Sequence, residues 1–342
     1  MHGPSGSLKD DSPAVTAGLN YADDSQPGIA RRRRGRYFAY YTHAGERVAD
    51  RDEIDRLHAI GMPPAYERCW FNPDPTGHIQ ATGFDARGRK QYRYHPEFRA
   101  GREADKFALC PQFGEALPRI RERVGRALRG RTVSRERTLA ALVRLLDIGH
   151  VRIGNDAYAR ENGSYGASTL RMRHVKLEGG AIRLSYRGKS GQMRDMKVRD
   201  AGLLRFVRTM QDLPGQRLFQ YLDEGGQHHD VGSSDVNQFI RETMGVDFSA
   251  KHFRTWGGTL VGYEAWLGSH GEIGLKPALE LVAEALGNTP AISRKSYVHP
   301  AVLAVLKEKD SSALPQRLPR ATRWLSREER GLIEFLRARP VS

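Results

Sequence analysis

Near Arg102 the apolar residues change their spacing, and no single-pattern fold accommodates both halves. Before that point, "RYFAYY" and "CWFNPDPTGHIQATGFDARGRKQYRY" are short aromatic and β-prone runs broken by Pro, Gly and Asp, the mark of short antiparallel strands. "DARGRK" reads as a hairpin tip between "HIQATGF" and "QYRYH", and "RDEIDRLHAI" as one short helix. After it, Leu139, Leu142, Val143 and Leu146 fall at i, i+3, i+4 and i+7, one face of a helix. "LLRFVRTMQDL", "SSDVNQFIRETMG" and "KPALELVAEALG" repeat the pattern. In the second, serine is placed to cap and Gly245 to stop; in the third, Gly287 is the stop. One stretch breaks the helical half. "GAIRLSYRGKSGQMRDMKV" alternates, turns and alternates again, giving a β-hairpin with Lys189 at its tip. The expected fold is therefore α+β, with a small antiparallel sheet domain followed by a larger, mainly helical one.

The expected boundaries are a disordered arm over 1–27, a β-rich domain over 28–102, a helical domain over 103–309, and a tail over 310–342. The arm is rich in Gly, Ser, Asp and Pro without apolar periodicity. "RRRRGR", 31–36, reads equally as a solvated tether or as an edge that contacts phosphate. "SREERGLIEFLRA" in the tail is one amphipathic helix, either docked or open to a partner.

Charge narrows the function. Lys plus Arg number 55 against 40 Asp plus Glu, a formal net charge of +15, which favours a polyanionic partner. A membrane surface is the weaker choice, because no run of 18 apolar residues and no signal-peptide core is present; the expected location is cytoplasmic, at the nucleoid. Cys69 and Cys110 are the only cysteines, too few for a disulfide framework or a cysteine zinc site. His228-His229 lies in "DEGGQHHDVGSS", which reads as a solvated loop. Neither a nucleotide-binding P-loop nor a metal motif occurs, so no cofactor and no metal are expected.

Chemistry on a phosphodiester without metal needs fixed donors for the non-bridging oxygens and a proton donor for the leaving oxygen. Arginine suits the first task and lysine the second. Arg152, where the "LVRLLDIGHVRIGN" helix runs out, Lys189 at the hairpin tip, Arg254 in "AKHFRTWGG", and Asn288 and Tyr297 in "GNTPAISRKSYVHP" stand at fitting places. Taken one at a time, each arginine reads more readily as a surface phosphate contact, and Tyr297 as a packed aromatic.

Five ordered segments add a second line of argument: "GHIQATGFDARGRKQYRYHPEFR", "VRIGNDAYARENGSYGASTLRMRHV", "YRGKSG", "AKHFRTWGGT" and "LGNTPAISRKSYVHP". With them, roughly residues 28–305 resemble a type IB DNA topoisomerase of the poxvirus-type group that also occurs in bacteria. The resemblance implies an ATP-independent enzyme that clamps duplex DNA as a monomer and relaxes supercoils of either sign through a 3′-phosphotyrosyl intermediate. Tyr297 resembles the nucleophile, Arg152 and Arg254 the arginines on the scissile phosphate, and Lys189 the lysine that protonates the 5′-oxygen. Asn288 stands where many members have a histidine that donates to a non-bridging oxygen. Gln91, Tyr92 and Tyr94, with Arg89 and Lys90 beside them, resemble residues that reach DNA. Tyr158 matches a DNA-contacting tyrosine, and Lys251 is a further expected contact.

Two departures stand out. Asn155 and Ala157 replace lysines of the poxvirus members, which puts their strict pentanucleotide preference in question here. Asn288 can donate a hydrogen bond but cannot carry charge or shuttle a proton. The nearest alternative is a tyrosine recombinase, which shares Arg, Lys, Arg and Tyr but usually has His-x-x-Arg where this chain has Lys251-His252-Phe253-Arg254. A noncatalytic DNA-compacting protein would satisfy the charge but has no need of the ordered segments.

Overall fold

The computed structural model describes residues 18–340 except 87, 89, 214, 246 and 247, with backbone alone at 100, 102–105, 157, 158 and 190. Tertiary contacts divide the chain between Asp105 and Lys106. The first unit is built on five antiparallel strands: β1 (Ile29–Arg34), β2 (Tyr37–Tyr41), β3 (Glu67–Phe71), β4 (Ile79–Phe84) and β5 (Lys90–Tyr94), in the order β2-β1-β3-β4-β5. Helix α1 (Arg51–Ala59) covers the sheet through Leu57, which packs with Ile29, Tyr40, Met62, Cys69, Phe71 and Ala81.

Two expectations change here. "RRRRGR" is not a tether, and its Arg32, Arg33 and Arg34 are exposed and pair with β2 alone. Its first four arginines are part of β1, and Arg31 turns inward to donate to the carbonyls of Met62, Pro63 and Tyr66 at 2.8, 2.7 and 3.0 Å. Residues 18–27, expected in the arm, lie against the sheet. Asn20 bridges to Gly77, the Ala22 amide donates to His78 Nδ1 at 2.9 Å, and the Tyr21 ring stacks on His78 at 4.5 Å. Backbone pairing and ring stacking supply order there without apolar periodicity. Residues 1–17 lie outside the described residues.

Helix α2 (Pro96–Ala108) leads into the second unit. There α3 (Cys110–Ala127), α4 (Arg135–Gly149) and α5 (Asp156–Asn162) precede a three-stranded sheet of β6 (Val175–Glu178), β7 (Ala181–Arg187) and β8 (Met193–Val198). Then come α6 (Ala201–Gln211), β9 (Gln220–Leu222), β10 (His228–Asp230), α7 (Ser233–Met244), α8 (Ala250–Gly268), α9 (Leu275–Leu286), α10 (Pro290–Ser296), α11 (Pro300–Glu308) and α12 (Arg327–Arg337). The fold is α+β, as the sequence implies.

Helix α4 is central. Its apolar stripe is wholly buried, Ser134 caps its start by accepting from the Arg137 amide at 3.3 Å, and His150 ends it in the left-handed conformation at φ 48°. The Lys189 hairpin is β7–β8, and β6 pairs β7 as a third strand the spacing did not announce. His228 and His229 are in β10, paired with β9, and His229 Nε2 meets Asp223 Oδ2 at 2.7 Å, so the loop reading fails for both. Helix α7 ends at Gly245 as expected, but Gly232 takes the position before it, with Asp235 Oδ2 accepting from the Gly232 amide at 2.9 Å; serine does not cap.

Helix α12 docks on α3 and α8 and buries Leu332, Phe335 and Leu336, each apolar side chain worth roughly 1.5–3 kcal/mol on burial. Glu329 accepts from Arg121 through both oxygens, at 2.7 and 2.8 Å, and Arg121 also reaches both oxygens of Asp147 at 2.9 Å. This ion triad ties the C-terminal helix to α3 and to the last turns of α4.

Candidate active site

The site is assembled where α4 and α9 end. A helix leaves its last carbonyls without partners inside the helix, and the C-terminal end favours cations. Arg254, in the second turn of α8, takes both ends. It is 4% exposed, donates from Nη1 to the His150 carbonyl, and donates from Nη1 and Nη2 to the Leu286 carbonyl at 3.1 Å each. Burial lowers its pKa, with Arg152 and Arg194 acting in the same direction and Tyr297 opposing them.

Arg152 follows α4 on a strand of backbone that is itself held. The Ala167 amide donates to the Arg152 carbonyl at 2.8 Å, and the Ser168 amide and hydroxyl donate to the Ile153 carbonyl at 2.7 and 2.9 Å. The half-buried Arg152 guanidinium donates to the Gly287 carbonyl at 3.4 Å and to Asn288 Oδ1. Arg194, on β8, completes the arginine set and was not foreseen. It donates to the carbonyls of Glu284 and Ala285 at 2.9 and 3.0 Å. It also explains Gly287, which stands at φ 58° and where a Cβ would lie 2.4 Å from Arg194 Nη1. Only the spacing of long-range contacts selects Arg194, and the sequence pattern carries no signal for it.

Tyr297 follows α10, whose start is fixed by Pro290 and by Thr289 accepting from the Ile292 amide at 3.3 Å. The phenol is half-buried, with the Arg254 guanidinium carbon 4.7 Å from its ring centroid. Burial pushes its pKa up, but the charges of Arg254, Arg152 and Lys189 outweigh burial and hold the phenol below its ordinary value. Arg254 Nε and Asn288 Nδ2 are buried and have no hydrogen-bond partner. Each orphaned donor costs roughly 1–3 kcal/mol unless an acceptor arrives.

Lys189 is exposed on a single 3₁₀ turn between β7 and β8, closed by the Gly188 amide donating to the Gln192 carbonyl at 2.7 Å. A cleft lined by Arg152, Tyr165, Tyr186, Lys189, Arg194 and Arg254 lies beneath it. The structure therefore brings Arg152, Lys189, Arg254, Asn288 and Tyr297 together from residues 145 positions apart. Such a constellation can hold a phosphate by several donors beside a phenol of lowered pKa.

The other expected residues are placed elsewhere. On β5, Lys90, Tyr92 and Tyr94 are exposed on one face, where the two tyrosine rings stack 5.9 Å apart, while Gln91 turns the other way and donates to Asp85 Oδ2 at 3.1 Å. Lys90 Nζ pairs with Asp24 at 2.5 Å. Lys251 is exposed in the first turn of α8. Arg89 and the side chain of Tyr158 lie outside the described residues. Among the described residues, no helix is long and apolar enough to cross a membrane.

The site lies on a mainly helical unit that follows a small antiparallel sheet unit in the chain. Comparison with known proteins identifies the class. Residues 95–315 match the family described as eukaryotic DNA topoisomerase I, catalytic core, and residues 37–85 the bacterial DNA topoisomerase IB N-terminal domain. DNA topoisomerase 1B of Acanthamoeba polyphaga mimivirus is 33% identical over 285 residues, covering 79% of this chain and 85% of the viral protein. DNA topoisomerase 1B of vaccinia virus (strain Copenhagen) is 22% identical over 248 residues, 72% of this chain and 77% of the viral one. Among solved structures, the XerH site-specific recombinase in its post-cleavage complex with palindromic difH covers 52% of this chain and 47% of its own, at 16% identity and a TM-score of 0.36. The chain belongs to the type IB DNA topoisomerases. It is a DNA-binding enzyme that changes DNA topology.

Proposed function

We propose that Tyr297 is the nucleophile of this topoisomerase and that the cations around it form its phosphate site. The observation that carries the reading is the phenol held under Arg254 at 4.7 Å from ring centroid to guanidinium carbon, with its pKa drawn down by Arg254, Arg152 and Lys189 against the effect of burial. Tyr297 Oη attacks the scissile phosphorus and its proton passes to solvent. The bond to the 5′-oxygen breaks, and Lys189 protonates that oxygen as it leaves. Arg152, Arg254 and Asn288 donate to the non-bridging oxygens, where negative charge grows. The two orphaned donors, Arg254 Nε and Asn288 Nδ2, gain acceptors in that step. The phosphotyrosyl ester conserves the bond energy, the duplex rotates about its intact strand, and the 5′-hydroxyl reverses the attack.

In this reading Lys90, Tyr92 and Tyr94 present one exposed, basic and aromatic face of β5 to the DNA, with Arg89, Tyr158 and Lys251 as further contacts. Gln91, turned toward Asp85, must release that bond to take part. The enzyme closes on duplex DNA as a monomeric clamp at the nucleoid. Its affinity falls steeply with salt because phosphate contacts release counterions.

Relaxation of positively and negatively supercoiled plasmid, in EDTA and without ATP, is the expected activity. Tyr297→Phe binds DNA and forms no covalent adduct. An adduct that persists in this variant removes Tyr297 from the reaction, and relaxation abolished by EDTA removes the mechanism. Exchange of strands between two duplexes without free relaxation would favour a recombinase.

A further inference from the structure

Lys106 is a buried lysine that the mechanism above does not use. It is 5% exposed, near the C-terminal end of α2, and donates from Nζ to the Ser296 carbonyl at 2.8 Å. The next carbonyl along, that of Tyr297, accepts from Thr259 Oγ1 at 3.2 Å, and the same hydroxyl accepts from the His299 amide at 3.1 Å. Thr259 is fully buried on α8, one turn and a residue beyond Arg254. The peptides on both sides of Tyr297 are thus gripped from two different helices. Gly258 tightens the grip: a Cβ there would lie 2.9 Å from the Tyr297 carbonyl oxygen and 3.1 Å from its Cβ.

We propose that Lys106 and Thr259 are positioning residues that set the backbone of the nucleophile and so aim its phenol at the scissile phosphorus. The inference rests on Tyr297 being that nucleophile. With the carbonyls before and after it fixed, the Cα–Cβ direction of Tyr297 is fixed too, and only its side-chain rotations remain. A buried ammonium suits the Ser296 carbonyl for the same reason arginines suit α4 and α9, since that carbonyl closes α10 and has no partner within the helix. The burial of so costly a group is matched by a charge-assisted bond.

The test uses the full chain under single-turnover conditions, with a duplex oligonucleotide taken from a mapped plasmid cleavage site. Lys106→Met keeps the stem and removes the donor. It slows cleavage and resealing by a similar factor, on the order of 10- to 100-fold for a displaced reacting atom, and leaves noncovalent DNA affinity unchanged. Lys106→Arg recovers most of both rates. A substrate with sulfur at the 5′-bridging position, whose leaving group needs no proton, restores Lys189→Ala but not Lys106→Met. Rescue of Lys106→Met by the sulfur makes Lys106 a proton donor and overturns the proposal, as do unchanged rates or a loss confined to DNA affinity. If Lys106→Met does not fold, Thr259→Val and Thr259→Ser carry the same test: valine slows both steps and serine preserves them, and equal rates in the two refute it. An adduct surviving in Tyr297→Phe would instead refute the nucleophile itself.

Discussion

Asn288 offers the sharpest test of the phosphate site, because its two amide atoms do different things. Oδ1 accepts from Arg152, and Nδ2 is buried without a partner. Asn288→Ala removes both and should slow adduct formation by about 100- to 1,000-fold, or roughly 2.7–4 kcal/mol, the usual cost of one transition-state donor. Asn288→Asp separates the two roles. It keeps the acceptor for Arg152 but replaces the donor by a negative charge facing a negative phosphate. At about 4 Å and an effective dielectric of 20, that repulsion is about 4 kcal/mol, a further factor of roughly 1,000. Aspartate should therefore be slower than alanine. Asn288→His should stay close to the parent, because a neutral imidazole can accept from Arg152 on one nitrogen and donate from the other. Single-turnover formation of the covalent adduct, followed from pH 5 to 9, measures all three. The parent enzyme shows no limb near pH 6–7, since His150, the histidine beside Arg254, is held at about 4 by burial; Asn288→His introduces one. An aspartate variant faster than the alanine variant would mean that Asn288 only anchors Arg152, and would refute the donor role.

Two further outcomes follow from buried charge. Arg121 holds both oxygens of Asp147 and both of Glu329, so Arg121→Met strands two buried carboxylates and should lower unfolding free energy by about 3–5 kcal/mol, read from urea midpoints at constant slope. His150, His174 and His299 are each held neutral by burial, at about 4. Below the unfolded value of about 6.5 the unfolded chain binds protons that the native chain refuses. Stability from these residues is complete above about pH 6.5 and is lost as pH falls toward 4, and His299→Asn, which keeps a capping acceptor before α11, should flatten part of that fall in urea midpoints measured across the range.

Local chemistry was legible in the chain and long-range company was not. The Lys189 hairpin, the stop at Gly287 and the buried stripe of α4 follow from alternation, from glycine at a left-handed position and from helical spacing, all within windows shorter than 20 residues. β6 escaped because it earns its place by pairing with β7, and β10 because a polar three-residue strand exists only against β9. Residues 18–27 carry no periodic signal, yet Asn20, Tyr21 and Ala22 find partners more than 50 positions away. The same holds at the site. Arg152, Lys189, Arg254, Asn288 and Tyr297 came from ordered segments that resemble a family. Arg194 and Lys106 came only with the fold, since their partners lie 90 and 190 positions distant.

Those partners explain why arginine dominates this site. Arg254, Arg194 and Arg152 each donate to carbonyls at or just past a helix end, and each also lines the cleft below Lys189. Arginine can serve both sides, because its five N–H donors lie along more than one edge of a plane. Arg254 spends Nη1 and Nη2 on the ends of α4 and α9 and still has Nε unpartnered. A lysine in its place would have to choose between the fold and the phosphate with one mobile ammonium. Lys189, by contrast, is exposed on a turn of its own. The arginines of the site also hold the fold, and the cation proposed to deliver a proton stands exposed on a turn.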